Sequence, residues 1–421
     1  VTRQRLLAVG EGLSTSGYAR VMESVLAPLS RAFDVTLFAT NHLGPPEPRP
    51  FGVRTNELLG DVYGYEQLPG MLDELEPDVV LLHRDSGFHS MHRTTLAAYT
   101  EGRPGARVAV YCPVDWPRTP PAVPHSLAAA DLVVLYSRYG LETIERAFGD
   151  EGLEPPATAV IGHGVDCGRF RPLVRGDPGA SRAEARRRLF GGEPGIEDAF
   201  IVLNANRNQR RKRIDITLRG FAEFARGRPD ARLYLHMGMR DLGCDVRALA
   251  EELDIAGRLL TTTDGDDPPA ETDERLNLIY NACDVGLNTA EAEGWGLVSF
   301  EHAAAGAAQV VPDHGACAEL WAGSALLLPA RREERRGHLV EPAAVAATLG
   351  RLRDDVALRR EMAERALRLA REPRFSWEAI GARWEDALRE CLRRPASRSG
   401  SAAPTTSPRS RPPQAAARTA R

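Results

Sequence analysis

The chain has 421 residues, enough for two or three domains, and its 43% hydrophobic and 27% charged content is that of a folded globular protein for most of its length. Fifty-four basic against 58 acidic residues give a formal charge of −4, which supplies no general attraction to nucleic acid, while contact with a membrane periphery is left open. No apolar run approaches the roughly 18 residues of a membrane span, and the four-residue run before Gly10 is too short for a signal-peptide core, so a cytoplasmic protein is expected.

In chain order, short apolar runs alternate with helical patterns. Strands are expected at 5–9, 35–39, 79–82, 107–111, 132–136 and 158–161, with a helix over 17–31 after the first. The rhythm restarts with strands at 200–204, 232–236, 258–262, 285–288 and 309–311, and with helices at 214–225, 246–253, 274–282 and from Leu297. Strand, helix, strand in series means two doubly wound parallel sheets. Glycine-bearing segments 176–180 and 191–195 bracket an Arg-rich helix and mark a hinge region between the two units. Further on, Trp377, Ile380, Trp384 and Leu388 form one apolar stripe on a last helix. Residues 395–421, rich in Pro, Ser and Arg with no acid and no aromatic, read as a disordered tail.

Lysine occurs once, at Lys212, whereas arginine is abundant; with plentiful Ala, Gly and Pro this is the bias of a GC-rich bacterial coding sequence. The six cysteines are scattered without a Cys-x-x-Cys pair and are expected to be thiols.

Ligands of open parallel sheets lie beyond the carboxyl ends of the strands, so the loops there carry the chemistry. The strand at 200–204 runs into Ala205-Asn-Arg207-Asn-Gln-Arg-Arg-Lys212-Arg213, and the strand at 285–288 into Glu291-Ala-Glu293-Gly294-Trp295-Gly296-Leu297. Gly294 and Gly296 let backbone approach an anion, and the following helix offers its free amides. Glu301, one turn inside that helix, is placed to accept two hydroxyls of a ribose. Arg210, Arg211 and Arg213 read as a solvated basic face, and Glu291 as a surface neighbour of Glu293.

Glu293-Gly-Trp-Gly-Leu-Val-Ser-Phe-Glu301 resembles the E-x7-E motif of retaining glycosyltransferases of family four, which have the GT-B fold. Arg207 and Lys212 resemble that family's paired diphosphate-binding cations, and Ile161-Gly-His-Gly-Val-Asp-Cys-Gly-Arg-Phe-Arg-Pro172 its interdomain segment. The resemblance implies two Rossmann-like units facing across a cleft: residues 1–172 binding the acceptor, 173–374 binding the nucleotide sugar, and a helix at 375–394 returning to the first unit. It implies transfer of a sugar from a nucleoside diphosphate donor to a small-molecule, glycan or lipid-linked hydroxyl, with no cofactor. The catalytic set it implies is Glu293, Arg207 and Lys212, to which Asp115 is added as the available polar residue of its loop, equally readable as a cap of that turn; the donor set is Gly17, Arg207, Lys212, Gly294, Trp295, Gly296, Leu297 and Glu301. The units are expected to close about residues 163–172 when donor binds.

Two departures stand out: Ser16-Gly17 where the family shows Gly-Gly, and Asp115 in a Pro-rich turn where many relatives carry a histidine. His83, Asp85, His89 and His163 read individually as structural. No metal is expected, since Asp264, Asp266 and Asp267 lie in a Gly- and Pro-bounded loop without a second acidic cluster. The alternatives are a catalytically weak donor-binding partner subunit and a GT-B-fold epimerase.

Overall fold

The computed structural model describes residues 3–85, 87–333 and 337–395; the tail expected beyond Pro395 lies outside the described residues. The first sheet contains β1 (Arg5–Gly10), β2 (Asp34–Ala39), β3 (Gly52–Thr55), β4 (Val79–His83), β5 (Arg107–Cys112), β6 (Leu132–Leu135) and β7 (Ala157–Val160), in the order β3-β2-β1-β4-β5-β6-β7. The second contains β8 (Phe200–Asn204), β9 (Ala231–Leu235), β10 (Leu259–Thr261), β11 (Val285–Leu287), β12 (Ala308–Pro312) and β13 (Leu326–Leu328), in the order β10-β9-β8-β11-β12-β13. Every pairing in both sheets is parallel.

The central strands are buried on both faces, which is why β4, β5, β8 and β12 read as unbroken apolar runs. In each sheet the strand order reverses once, between β1 and β4 and between β8 and β11. The loops leaving the strands at those reversals therefore face the crevice.

The sequence did not announce β3, β13 or the antiparallel pair Ala330–Glu333 and Gly337–Val340. β3 is an edge strand of four half-exposed or exposed residues, so it has no apolar run to betray it.

The last helix, Trp377–Arg393, capped by Ser376, packs on the first, Gly17–Leu29. Contact is close: a Cβ on Gly381 would fall 2.3 Å from Pro28 Cγ. Ile380, Trp384 and Leu388 are fully buried, with Trp384 edge-on to Tyr111 at 4.8 Å, while Trp377 is only partly buried and covers Gly164. The Arg31 fork grips Glu378 at 2.6 and 2.9 Å, and Arg107 Nη2 donates to the carbonyl of Arg394 at 2.7 Å. The chain crosses between lobes twice, and the crossings are tied together by Val165 N donating to Phe375 O at 2.8 Å. The Arg-rich helix Pro178–Phe190 sits on the second lobe, where Arg182 and Arg186 both pair with the buried Asp284. Among the described residues, no helix is long and apolar enough to cross a membrane.

Candidate active site

The two loops flanking the β8/β11 reversal are bolted together by their backbones. Glu291 N donates to Arg211 O at 2.8 Å, Arg211 Nη1 returns a bond to Ala292 O at 2.9 Å, and the Thr289 hydroxyl reaches the carbonyls of Lys212 and Arg213 at 3.2 and 3.0 Å. Residues 210–212 form a single 3-10 turn, and Arg213 ends it in the left-handed region at φ +49°. Such a conformation is strained for a residue with a Cβ, and here the Arg213 guanidinium is held on Asp215 at 2.8 Å and Glu291 at 3.4 Å. The turn aims its residues apart: Arg210 stays exposed, Arg211 is half-buried and Lys212 is buried.

Lys212 therefore does not stand in an open loop. Its ammonium is bonded to the carboxylate of Glu293, itself only 5% exposed. Arg211 Nη1 lies 3.8 Å from Glu293 Oε1, and Arg211 Nη2 lies 3.5 Å from Asp115 Oδ2 on the opposite lobe. Burial pushes the Glu293 carboxyl up, but Lys212 and then Arg211 more than offset it and hold the group at about 2. Asp115 goes the other way: burial raises it, with Glu293 adding to the rise and Arg211 opposing it. Two carboxylates and two cations thus meet where the lobes touch. Gly294 is required there, since a Cβ would fall 2.6 Å from Asp115 Oδ1.

Glu301 sits in the helix Leu297–Ala304, behind Gly296 at φ +90°. It accepts from the Tyr280 hydroxyl at 2.8 Å and lies 3.5 Å from Arg20 Nε, which comes from the first lobe. The same guanidinium bonds Asp273 at 2.6 Å. Burial raises the Glu301 carboxyl, and Arg20 works against the rise.

From the first lobe, Ser16 caps the helix that Gly17 opens, and its hydroxyl donates to Glu11 at 2.5 Å. A Cβ on Gly17 would lie 3.5 Å from Leu297 Cδ1, so the opening turns of two helices face each other across the cleft. A further contact joins the lobes: Glu319 accepts from the backbone amides of Arg138 and Tyr139 at 3.0 and 2.8 Å, at the start of the helix Arg138–Asp150.

Arg207 is half-exposed, and its guanidinium is engaged by Asp241 at 2.5 and 3.0 Å. Other expectations need correction. The Trp295 side chain turns away from the cleft into the hinge, where a Cβ on Gly162 would lie 2.2 Å from it, so only its backbone remains on the donor side. Glu291, Arg211 and Arg213 are not a solvated face: Arg213 pairs with Glu291, and Arg211 with Asp115 and Glu293. Arg20 and Tyr280 carried no local signal of a place in the site.

His83 and His163 are packing groups. His83 Nε2 contacts the Tyr136 hydroxyl at 2.8 Å, and burial pushes its imidazole down to about 3; His163 Nδ1 contacts the Tyr111 hydroxyl at 2.8 Å. Asp85 caps its own turn at Gly87 N, and His89 is buried in the following helix.

No protein-family model matches the chain. A D-inositol 3-phosphate glycosyltransferase of Acidothermus cellulolyticus is 31% identical over 320 residues, covering 72% of this chain and 61% of that protein. One of the same name from Nocardioides is 27% identical over 414 residues, covering 90% of this chain and 81% of that protein. Anabaena HepE, solved with UDP and glucose, superposes with a TM-score of 0.69 over 92% of this chain and all of that one, at 15% identity. The fold is GT-B. In GT-B terms the β8 and β11 loops lie on the C-terminal lobe, and the β1 and β5 loops form the opposite wall.

Proposed function

We propose that the chain is a retaining glycosyltransferase of the family-four type, moving a sugar from a nucleoside diphosphate to an acceptor hydroxyl. The observation that carries this reading is the placing of Glu293 and Glu301 on either side of one helix start, with Lys212 on the first and the N-terminal lobe closing over both. Lys212, the amides at Gly296 and Leu297, and Arg207 once released from Asp241 supply fixed positive charge for a departing diphosphate. Glu301 receives the ribose hydroxyls. Glu293 faces the anomeric centre as positive charge develops, and Asp115 accepts from a substrate hydroxyl on the other wall. The relatives' name specifies an inositol phosphate; for this chain the acceptor is assigned only as a polyol or sugar hydroxyl. Turnover of radiolabelled UDP-, GDP- and ADP-sugars by the purified chain tests the reading, and donor binding without transfer or hydrolysis would instead favour a partner subunit.

The two glutamates should separate kinetically. Glu301→Gln weakens a contact made equally in ground and transition states, so KM for donor is expected to rise about tenfold with kcat nearly unchanged. Glu293→Gln removes a charge that matters when the anomeric carbon is cationic, and kcat is expected to fall about a hundredfold. Indistinguishable signatures would show that the roles are misassigned.

Metal independence belongs to the same proposal. Asp266 is held by Arg247 at 3.0 Å and Asp264 by the Thr261 hydroxyl at 3.0 Å, and the cations at the β8 loop supply the charge a divalent ion would bring. Turnover is expected to persist in excess chelator; activity that vanishes there and returns with Mg²⁺ or Mn²⁺ would reverse the assignment.

A further inference from the structure

Lys212 has two claims on it. Its ammonium neutralises Glu293, yet a bound donor needs the same ammonium at the diphosphate. A carboxylate as enclosed as Glu293 does not tolerate losing its counter-ion; it takes up a proton instead. A protonated Glu293 would face the anomeric carbon as a neutral acid, useless for stabilising positive charge.

The structure holds a second cation on the other oxygen of that carboxylate. Arg211 Nη1 lies 3.8 Å from Glu293 Oε1, while Lys212 bonds Oε2. Arg211 is fixed in place by its backbone bond from Glu291, by its donation to Ala292 O at 2.9 Å, and by Asp115 at 3.5 Å. Its guanidinium does not deprotonate at any working pH. We propose that Arg211 is the standing counter-ion of Glu293, keeping it ionised when the donor's diphosphate draws Lys212 away. The proposal rests on the donor reading of Lys212 given above. Arg211 acts through Glu293 and is a positioning residue. One of its anchors, Asp115, belongs to the N-terminal lobe, so the guanidinium lies between two carboxylates while the lobes meet and keeps Glu293 alone when they part.

A purely structural pin between the two loops would explain the bond to Ala292 O but not the need for charge. The variants separate the two: Arg211→Gln retains an amide donor without the charge, and Arg211→Lys retains the charge. The measurement is proton uptake on binding, from calorimetric titration of the full chain with UDP, GDP and ADP at pH 7.5 in buffers of different ionisation enthalpy. Arg211→Gln is expected to take up close to one more proton per nucleotide bound than the wild type, Arg211→Lys the same number as the wild type, and the extra proton should vanish in the Arg211→Gln/Glu293→Gln double variant. The kcat of Arg211→Gln alone should fall at least about tenfold while its KM for donor stays within about threefold. Equal uptake by Arg211→Gln and wild type would overturn the proposal.

Glu293→Gln alone gives a second test that leaves Arg211 untouched. Its uptake should equal that of the wild type; a value lower by close to one proton would mean that Glu293 protonates despite Arg211, and would overturn the proposal as well. If the wild type binds none of the three nucleotides, the donor reading fails and this proposal fails with it. Binding without the predicted difference in uptake removes only the role of Arg211.

Discussion

Replacing Lys212 with alanine is expected to lower kcat/KM for donor by about 2–4 kcal/mol of transition-state stabilisation, the usual worth of a fixed charge aimed at a developing anion. It should also lower stability, by less than the cost of about 3–5 kcal/mol for a fully stranded buried charge, because Arg211 stays on the other oxygen of Glu293. The second effect has a definite pH dependence. In the wild type Glu293 is held at about 2, below the ordinary value near 4.3, so its contribution is complete above about pH 4.3 and is lost as pH falls toward 2. Without Lys212 the carboxyl rises from about 2, and Arg211 alone holds it ionised. The melting-temperature deficit of the variant should therefore be level from pH 8 to pH 5 and shrink as pH falls further. Near-normal turnover would remove Lys212 from the diphosphate site, a deficit that stays level down to about pH 3 would mean that Glu293 is not the group affected, and one that shrinks already between pH 8 and pH 5 would count against Arg211 as its counter-ion.

Trp384→Ala is expected to cost about 3–5 kcal/mol, the loss for a large aromatic removed from a site that cannot collapse around the void. The ring is fully buried between the first helix and β5, edge-on to Tyr111. The damage should fall on the N-terminal lobe, so UDP, GDP or ADP binding by the C-terminal lobe should persist in the folded fraction. Thermal unfolding with and without nucleotide checks this. A loss of under 1 kcal/mol would mean that the last helix is a removable cover and not part of the lobe's core.

The strands were legible wherever they are central, because burial on both faces leaves an unbroken apolar run, as in Val79–His83 and Phe200–Asn204. Gly52–Thr55 was not, since an edge strand with exposed residues carries no such mark. Within the site, Lys212 and Glu293 stand in a turn and a loop that follow strands, and Glu301 one turn into the next helix, so all three could be read from position alone. Arg211 could not. An arginine in a run of basic residues looks solvated until the 3-10 turn and the left-handed Arg213 decide which side chain points inward. Arg20 was hidden for a different reason: its partners Glu301 and Asp273 belong to the other lobe, and nothing near Arg20 in sequence marks the meeting. Arg207, chosen by its spacing from Lys212, stands in the loop after β8 with its guanidinium on Asp241, a partner that the spacing could not show.

The cap that Glu319 places on the helix Arg138–Asp150 has a kinetic meaning. The amides of Arg138 and Tyr139 belong to one lobe and their acceptor to the other, so separating the lobes exposes the positive end of a helix and leaves its first amides to water. On the function proposed above, entry of a nucleotide sugar requires these two bonds to break, and its apparent affinity falls with the fraction of molecules in which they stand open. The same two amides are capped again whenever the lobes meet, so the cap opposes opening whether or not a ligand lies between them.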